Sequence, residues 1–88
     1  MAEQALTAEW AALAGTRATT YDLQNLSRYK VHFVTGSAAP ADEVNGKVLF
    51  PFGHYLSVGA ATPGAGESIW VRSEGGGADP EFGTIEYS

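Results

Sequence analysis

Hydrophobic and polar positions alternate along this chain in short runs, and Gly, Pro and Asn separate the runs. Thr19-Thr20-Tyr21-Asp22-Leu23 is rich in β-branched and aromatic residues, with Tyr21 and Leu23 two apart and so on one face of a strand. After a polar break at Gln24-Asn25 and Ser27-Arg28, Lys30 to Thr35 alternates again. Val31 and Phe33 point one way, His32 and Val34 the other. Gly36-Ser37 and the Ala39-Pro40 bond end that run, because proline has no N–H to give to a sheet ladder. Ala38 to Gly46 is a loop in which Asn45-Gly46 suits a tight turn with positive φ. Lys47 to Phe50 is a short apolar strand. Pro51 to His54 is a turn or bulge, and Tyr55 to Val58 resumes the strand. Gly59 to Glu67 reads as a flexible connection. Ser68 to Arg72 is a strand with Ile69 and Val71 on one face and Trp70 on the other. Ser73 to Gly83 is irregular, and Thr84 to Tyr87 is a final alternating strand.

The first fifteen residues support two readings. Ala, Leu, Glu and Gln favour a short helix that places Leu6, Trp10, Leu13 and Ala14 on one side, with Gly15 as its terminator. Leu6, Ala8, Trp10 and Ala12 also occupy alternate positions, as an opening strand over Leu6 to Leu13 would require. Beyond this segment the turn signals divide the chain into six to seven short strands. Their spacing predicts an all-β fold, a single domain over residues 1–88 built as a small antiparallel sandwich or barrel, and not βαβ units. The predicted core is Tyr21, Leu23, Leu26, Val31, Phe33, Val48, Leu49, Leu56, Val58, Ile69, Val71 and Ile85, with Trp10.

Size and charge narrow the function. A chain of 88 residues without cysteine has no disulfide to staple a small core. Oligomerisation is a common substitute, so a homo-oligomer is expected. The net charge is −5, and the five basic residues Arg17, Arg28, Lys30, Lys47 and Arg72 are scattered. A nucleic-acid or membrane-surface partner would call for a basic stripe, so neither is expected. No apolar run approaches the roughly 18 residues of a membrane-spanning helix. Glu3 and the lack of an early Lys or Arg argue against a signal peptide.

Candidate chemistry is sparse. His32 and His54 are the only histidines, and a metal site would have to borrow Asp42 or Glu43, so no metal or cofactor is expected. No serine lies in a GxSxG elbow. Gly64-Ala65-Gly66 lacks the lysine and helix of a phosphate loop, and Gly75-Gly76-Gly77 reads as a mobile loop. Asp22, Glu67 and Glu86 fit solvated positions on or beside strands, so no catalytic residue is assigned. Asn25-Leu26-Ser27 matches the glycosylation sequon, which without a secretory signal reads as chance. Aromatics are the surplus: Trp70, Tyr29, Phe52, Phe82 and Tyr55 are too many for so small a core. Their simplest use is a subunit interface, and a sugar-stacking platform is the sharper alternative.

The order of these signals also resembles a known group. A Trp near the start precedes Tyr-x-Leu-Gln-Asn-Leu (Tyr21 to Leu26), then Ala-x-Pro, a Gly before a short strand, Ser-Ile-Trp-Val-Arg (Ser68 to Arg72) and Gly-Thr-Ile-Glu (Gly83 to Glu86). In this the chain is similar to small structural proteins of tailed-bacteriophage particles, of the capsid-decoration or head-fibre type. The resemblance implies a β-sandwich without catalytic residues. It would bind the major capsid or other virion proteins and sit in the virion after assembly in the host cytoplasm. Members of the group occupy different places on the particle, and decoration of the capsid shell is the most specific role expected. A receptor- or glycan-binding module of a fibre or tail is the alternative it leaves open. It also favours the strand reading of Leu6 to Leu13.

Overall fold

A computed structural model describes residues 2–41, 44, 46–74 and 83–88. Their secondary structure is β throughout: β1 (Ala2–Ala5), β2 (Ala11–Ala12), β3 (Tyr21–Asn25), β4 (Val31–Gly36), β5 (Lys47–Leu49), β6 (Val58–Ala61), β7 (Ser68–Ser73) and β8 (Thr84–Tyr87). No helix among them is long and apolar enough to cross a membrane. The strands form two antiparallel four-stranded sheets, ordered β1-β8-β3-β6 and β2-β7-β4-β5. The predicted all-β sandwich is therefore present, with eight strands rather than six or seven.

The pairing has a simple origin. β4 pairs with β5, β3 with β6, β2 with β7 and β1 with β8, so the chain is one long hairpin whose arms retrace each other. Val31 faces Leu49. Ten residues back, Tyr21 faces Ala61, twelve residues forward of Leu49. Ten further back, Ala11 faces Val71, ten further forward. Bending this hairpin so that alternate strand pairs fall in opposite sheets, then joining β3 to β8 and β4 to β7, produces the strand order of a jelly roll. Closure is what uses the two internal pairings. β1, β6, β2 and β5 remain as edges.

The N-terminal ambiguity resolves into neither expected form. Residues 2–5 join the first sheet and residues 11–12 the second, and the chain crosses between them. Leu6 and Leu13 bracket the crossing and are both buried. Their apolar character marks entry into the core from two sides, which imitates both a helical face and a strand.

The core lies between the sheets and contains Leu23, Ile85, Tyr87 and Ala61 from the first and Val31, Phe33, Leu49, Ile69 and Val71 from the second. Gly59 shows how closely the sheets meet: a Cβ there would lie 2.9 Å from Leu49 Cδ2. Seven predicted core residues are buried, namely Leu23, Val31, Phe33, Leu49, Ile69, Val71 and Ile85. Tyr21, Leu26, Val48 and Trp10 are half-buried. Leu56 and Val58 are exposed, contrary to expectation. The large residues at 55–58 invited a strand there. The strand instead runs through the small residues Val58-Gly59-Ala60-Ala61, inside the stretch expected to be a flexible connection, because these pair with β3.

Candidate docking surface

One end of the sandwich gathers the connections at 6–10, 26–30 and 50–57. Backbone bonds fasten them: Phe52 N–H donates to Ser27 O (2.9 Å), Glu74 N–H to Lys30 O (2.9 Å) and Ser73 N–H to Thr7 O (2.8 Å). At their centre is Asn25, wholly buried at the end of β3. Its Nδ2 donates to the carbonyls of Tyr29 (2.7 Å), Phe50 (3.0 Å) and, more weakly, Leu49 (3.3 Å). Its Oδ1 accepts from Ser27 N–H (2.8 Å) and Ser27 Oγ (2.7 Å). A side-chain amide with donors and an acceptor suits a place where one strand must satisfy orphan carbonyls of another sheet. The residue that punctuates the sequence is thus a bridge between the sheets. This also disposes of the sequon, since Asn25 has no exposed amide to modify.

The 50–57 connection is held by its own backbone. Phe50 N–H donates to Leu56 O (3.0 Å), and two turns lie inside, closed by His54 N–H to Pro51 O (3.0 Å) and Ser57 N–H to His54 O (3.0 Å). Gly53 has φ +96°, as the third position of a type II turn requires. Phe52 and Tyr55 each take the second position of a turn, a corner whose side chain projects outward. Phe52 is 60% exposed and Tyr55 81% exposed, and Leu56 and Val58 continue the apolar surface at 43% and 56%. The rings of Phe50, His54 and Tyr55 stack in series at 4.7 Å between neighbours. His54 Nδ1 accepts Leu56 N–H (3.0 Å), and this holds its ring in the stack. Lys30 Nζ sits 5.2 Å from the Phe50 ring centre, and Arg28 lies 5.4 Å from that of Tyr29. The result is a propped, outward-facing aromatic surface rimmed by cations.

The aromatics expected at an interface are therefore dispersed. Phe52 and Tyr55 stand together on this surface, with half-buried Tyr29 on the neighbouring connection. Trp70 is elsewhere, half-buried on the outer face of the second sheet, where its Nε1–H donates to Gly36 O (3.0 Å). Phe82 lies outside the described residues, as do Asp42, Glu43 and Gly75 to Gly77. Leu56 and Val58 were assigned to the core. The signal that they belong to a surface is the Pro-x-Gly turn just before them, which lifts the chain off the sheet. His32 lies on the face of β4 opposite Val31 and Phe33. Its side chain is 12% exposed and its Nε2 lies 2.8 Å from Glu74 Oε2. Among the described residues no group of three His, Asp or Glu could hold a metal. Glu67 caps its own turn by accepting Gly64 N–H (2.6 Å).

Comparison with protein-family models, curated proteins and solved structures finds no match to this chain.

Proposed function

We propose that this chain is a non-catalytic structural subunit of a tailed-bacteriophage particle, most specifically a capsid-decoration protein that docks on neighbouring coat proteins through residues 52–58. The observation that carries the docking role is the contiguity of Phe52, Tyr55, Leu56 and Val58 on one self-bonded connection. Large apolar side chains grouped on a surface mark contact sites, whereas singly scattered ones do not. Aromatic anchors on a rigid support lose little side-chain freedom on binding, which suits a small subunit that must hold to a larger shell. The particle itself comes from the sequence resemblance, and a jelly roll is an architecture that capsid and lectin domains use, though a fold alone assigns no function.

Quantitative mass spectrometry of purified particles tests the location. Copy number comparable to the main shell protein is expected, and absence from particles would refute the assignment. Tyr55→Ala combined with Phe52→Ser tests the surface. Binding to undecorated shells should fall by tenfold or more while the unfolding midpoint stays unchanged. The stacked Phe50–His54–Tyr55 rings favour one second reading, a sugar-binding platform at the tip of a fibre. It requires saturable glycan binding by the isolated chain that Tyr55→Ala abolishes.

A further inference from the structure

The four edges of the sandwich are not equally protected. Native edge strands are blunted by charge, by brevity or by a cover, because their free N–H and C=O groups otherwise recruit another strand. β1 carries Glu3, β5 carries Lys47, and β2 is only two residues long. β6, Val58-Gly59-Ala60-Ala61, has no charged residue and no proline. Among the described residues it pairs with β3 alone.

The register shows which of its groups are unused. Asn25 N–H donates to Ser57 O, so Ser57, Gly59 and Ala61 direct their backbone groups at β3. In an antiparallel ladder the intervening residues direct theirs the other way. Val58 and Ala60 therefore offer two N–H and two C=O groups along an open edge.

The two sides of this edge differ in charge. On the outer side a shallow groove runs along Val58 and Ala60 beside Asp22, Gln24 and Glu86. On the inner side an open cleft between β6 and β5 is lined by Phe33, Ala61, Thr62 and Lys47. An added strand would place alternate side chains in these two environments. We propose that β6 accepts an extended segment of a partner protein, with Lys or Arg at positions on the acidic outer side and apolar or acidic residues at positions facing Phe33 and Lys47. A second copy of β6 would supply four small uncharged residues and use neither charge. The edge shares Val58 with the docking surface of residues 52–58 but engages it through the backbone, and Ala60, Asp22, Glu86, Phe33 and Lys47 lie outside that surface. The inference does not depend on the particle assignment.

The probe is a short synthetic peptide in which Lys alternates with Val and one central Val is replaced by Asp, titrated into the purified full chain. Saturable binding is expected, with amide exchange slowing at Val58 and Ala60 while Gly59, already bonded to β3, changes little. Ala60→Lys, opposite Asp22, places a guard charge on the edge and should weaken binding about tenfold or more (about 1.4 kcal/mol or more). Ala60→Ser should bind as the parent does. Lys47→Glu should shift preference from a central Asp to a central Lys. Equal binding of a peptide with the same residues in block order would overturn the proposal, as would binding without slowed exchange at Val58 and Ala60. A concentration-dependent dimer dissolved by Ala60→Lys would also overturn it, by assigning the edge to a second copy.

Discussion

Glu86 and Trp70 occupy equivalent places. Each is an outward residue on the strand next to an edge, Glu86 in the first sheet and Trp70 in the second. Around Glu86 the face is open and acidic: Glu3 lies directly across on β1, Gln24 on β3, and Asp22 on the next outward row. Around Trp70 the face is aromatic. The last residue of β4, Gly36, receives the Trp70 Nε1–H at its carbonyl, and Gly46, just before β5, packs on Val34. Ala39 and Pro40 approach Trp10 and Arg72, whose guanidinium lies 5.6 Å from the Trp10 ring. An outward position in a two-layer sandwich is thus of two kinds. It lies in an acidic row in one sheet and among aromatic side chains and bonded backbone in the other.

Substitutions rank the parts of this contrast. The largest effect belongs to Asn25, the bridge between the sheets. Asn25→Ala leaves the carbonyls of Tyr29, Leu49 and Phe50 without their shared donor, and should cost about 3–5 kcal/mol in urea unfolding. A cost below about 1 kcal/mol would show that the sheets hold together without it. Trp70→Ala comes next. It removes a half-buried indole and its hydrogen bond to Gly36 O at the end of β4, for about 2–3 kcal/mol. An unchanged midpoint would mean that the outer-face indole adds nothing to stability. Gly46→Ala follows at about 2 kcal/mol. Its φ of +64° disfavours a side chain, and a Cβ would fall 2.3 Å from Val34 Cγ1. Proteolytic nicking between β4 and β5 should rise with it. The smallest effect is at the open face. Glu86→Lys turns the Glu3–Glu86 opposition into attraction and should stabilise by about 0.2–1 kcal/mol, a gain that added salt erases. A loss of stability there would mean that Glu86 has a structural partner.

Much of the fold was legible in the chain. The alternation in Val31 to Thr35, Ser68 to Arg72 and Thr84 to Tyr87 gave strands at those places, with the correct residues inward. These are residues whose burial follows from period two alone. The docking surface was half legible. Phe52 and Tyr55 stood out as surplus aromatics, but Leu56 and Val58 read as core, since nothing in an isolated Leu or Val tells whether a turn has lifted it from the sheet. Trp70 illustrates the converse: surplus to the core, it is occupied within the molecule. Its indole is half-buried on the outer face of the second sheet and bonded to Gly36 O, so its removal is expected to affect folding.

What the sequence determined by itself is the local period. Two-residue alternation and Gly/Pro/Asn punctuation set the strand class and most of the inward faces, because both act within a few residues. Tertiary structure decided the rest. Which strands became neighbours, that residues 2–5 and 11–12 serve different sheets, that Asn25 reaches carbonyls some 25 residues away, and that β6 is the uncharged edge among the described residues all depend on how one long hairpin is rolled. Rolling brings together residues whose separation along the chain carries no local signal, and only those contacts assign a polar residue to the core or an apolar one to the surface.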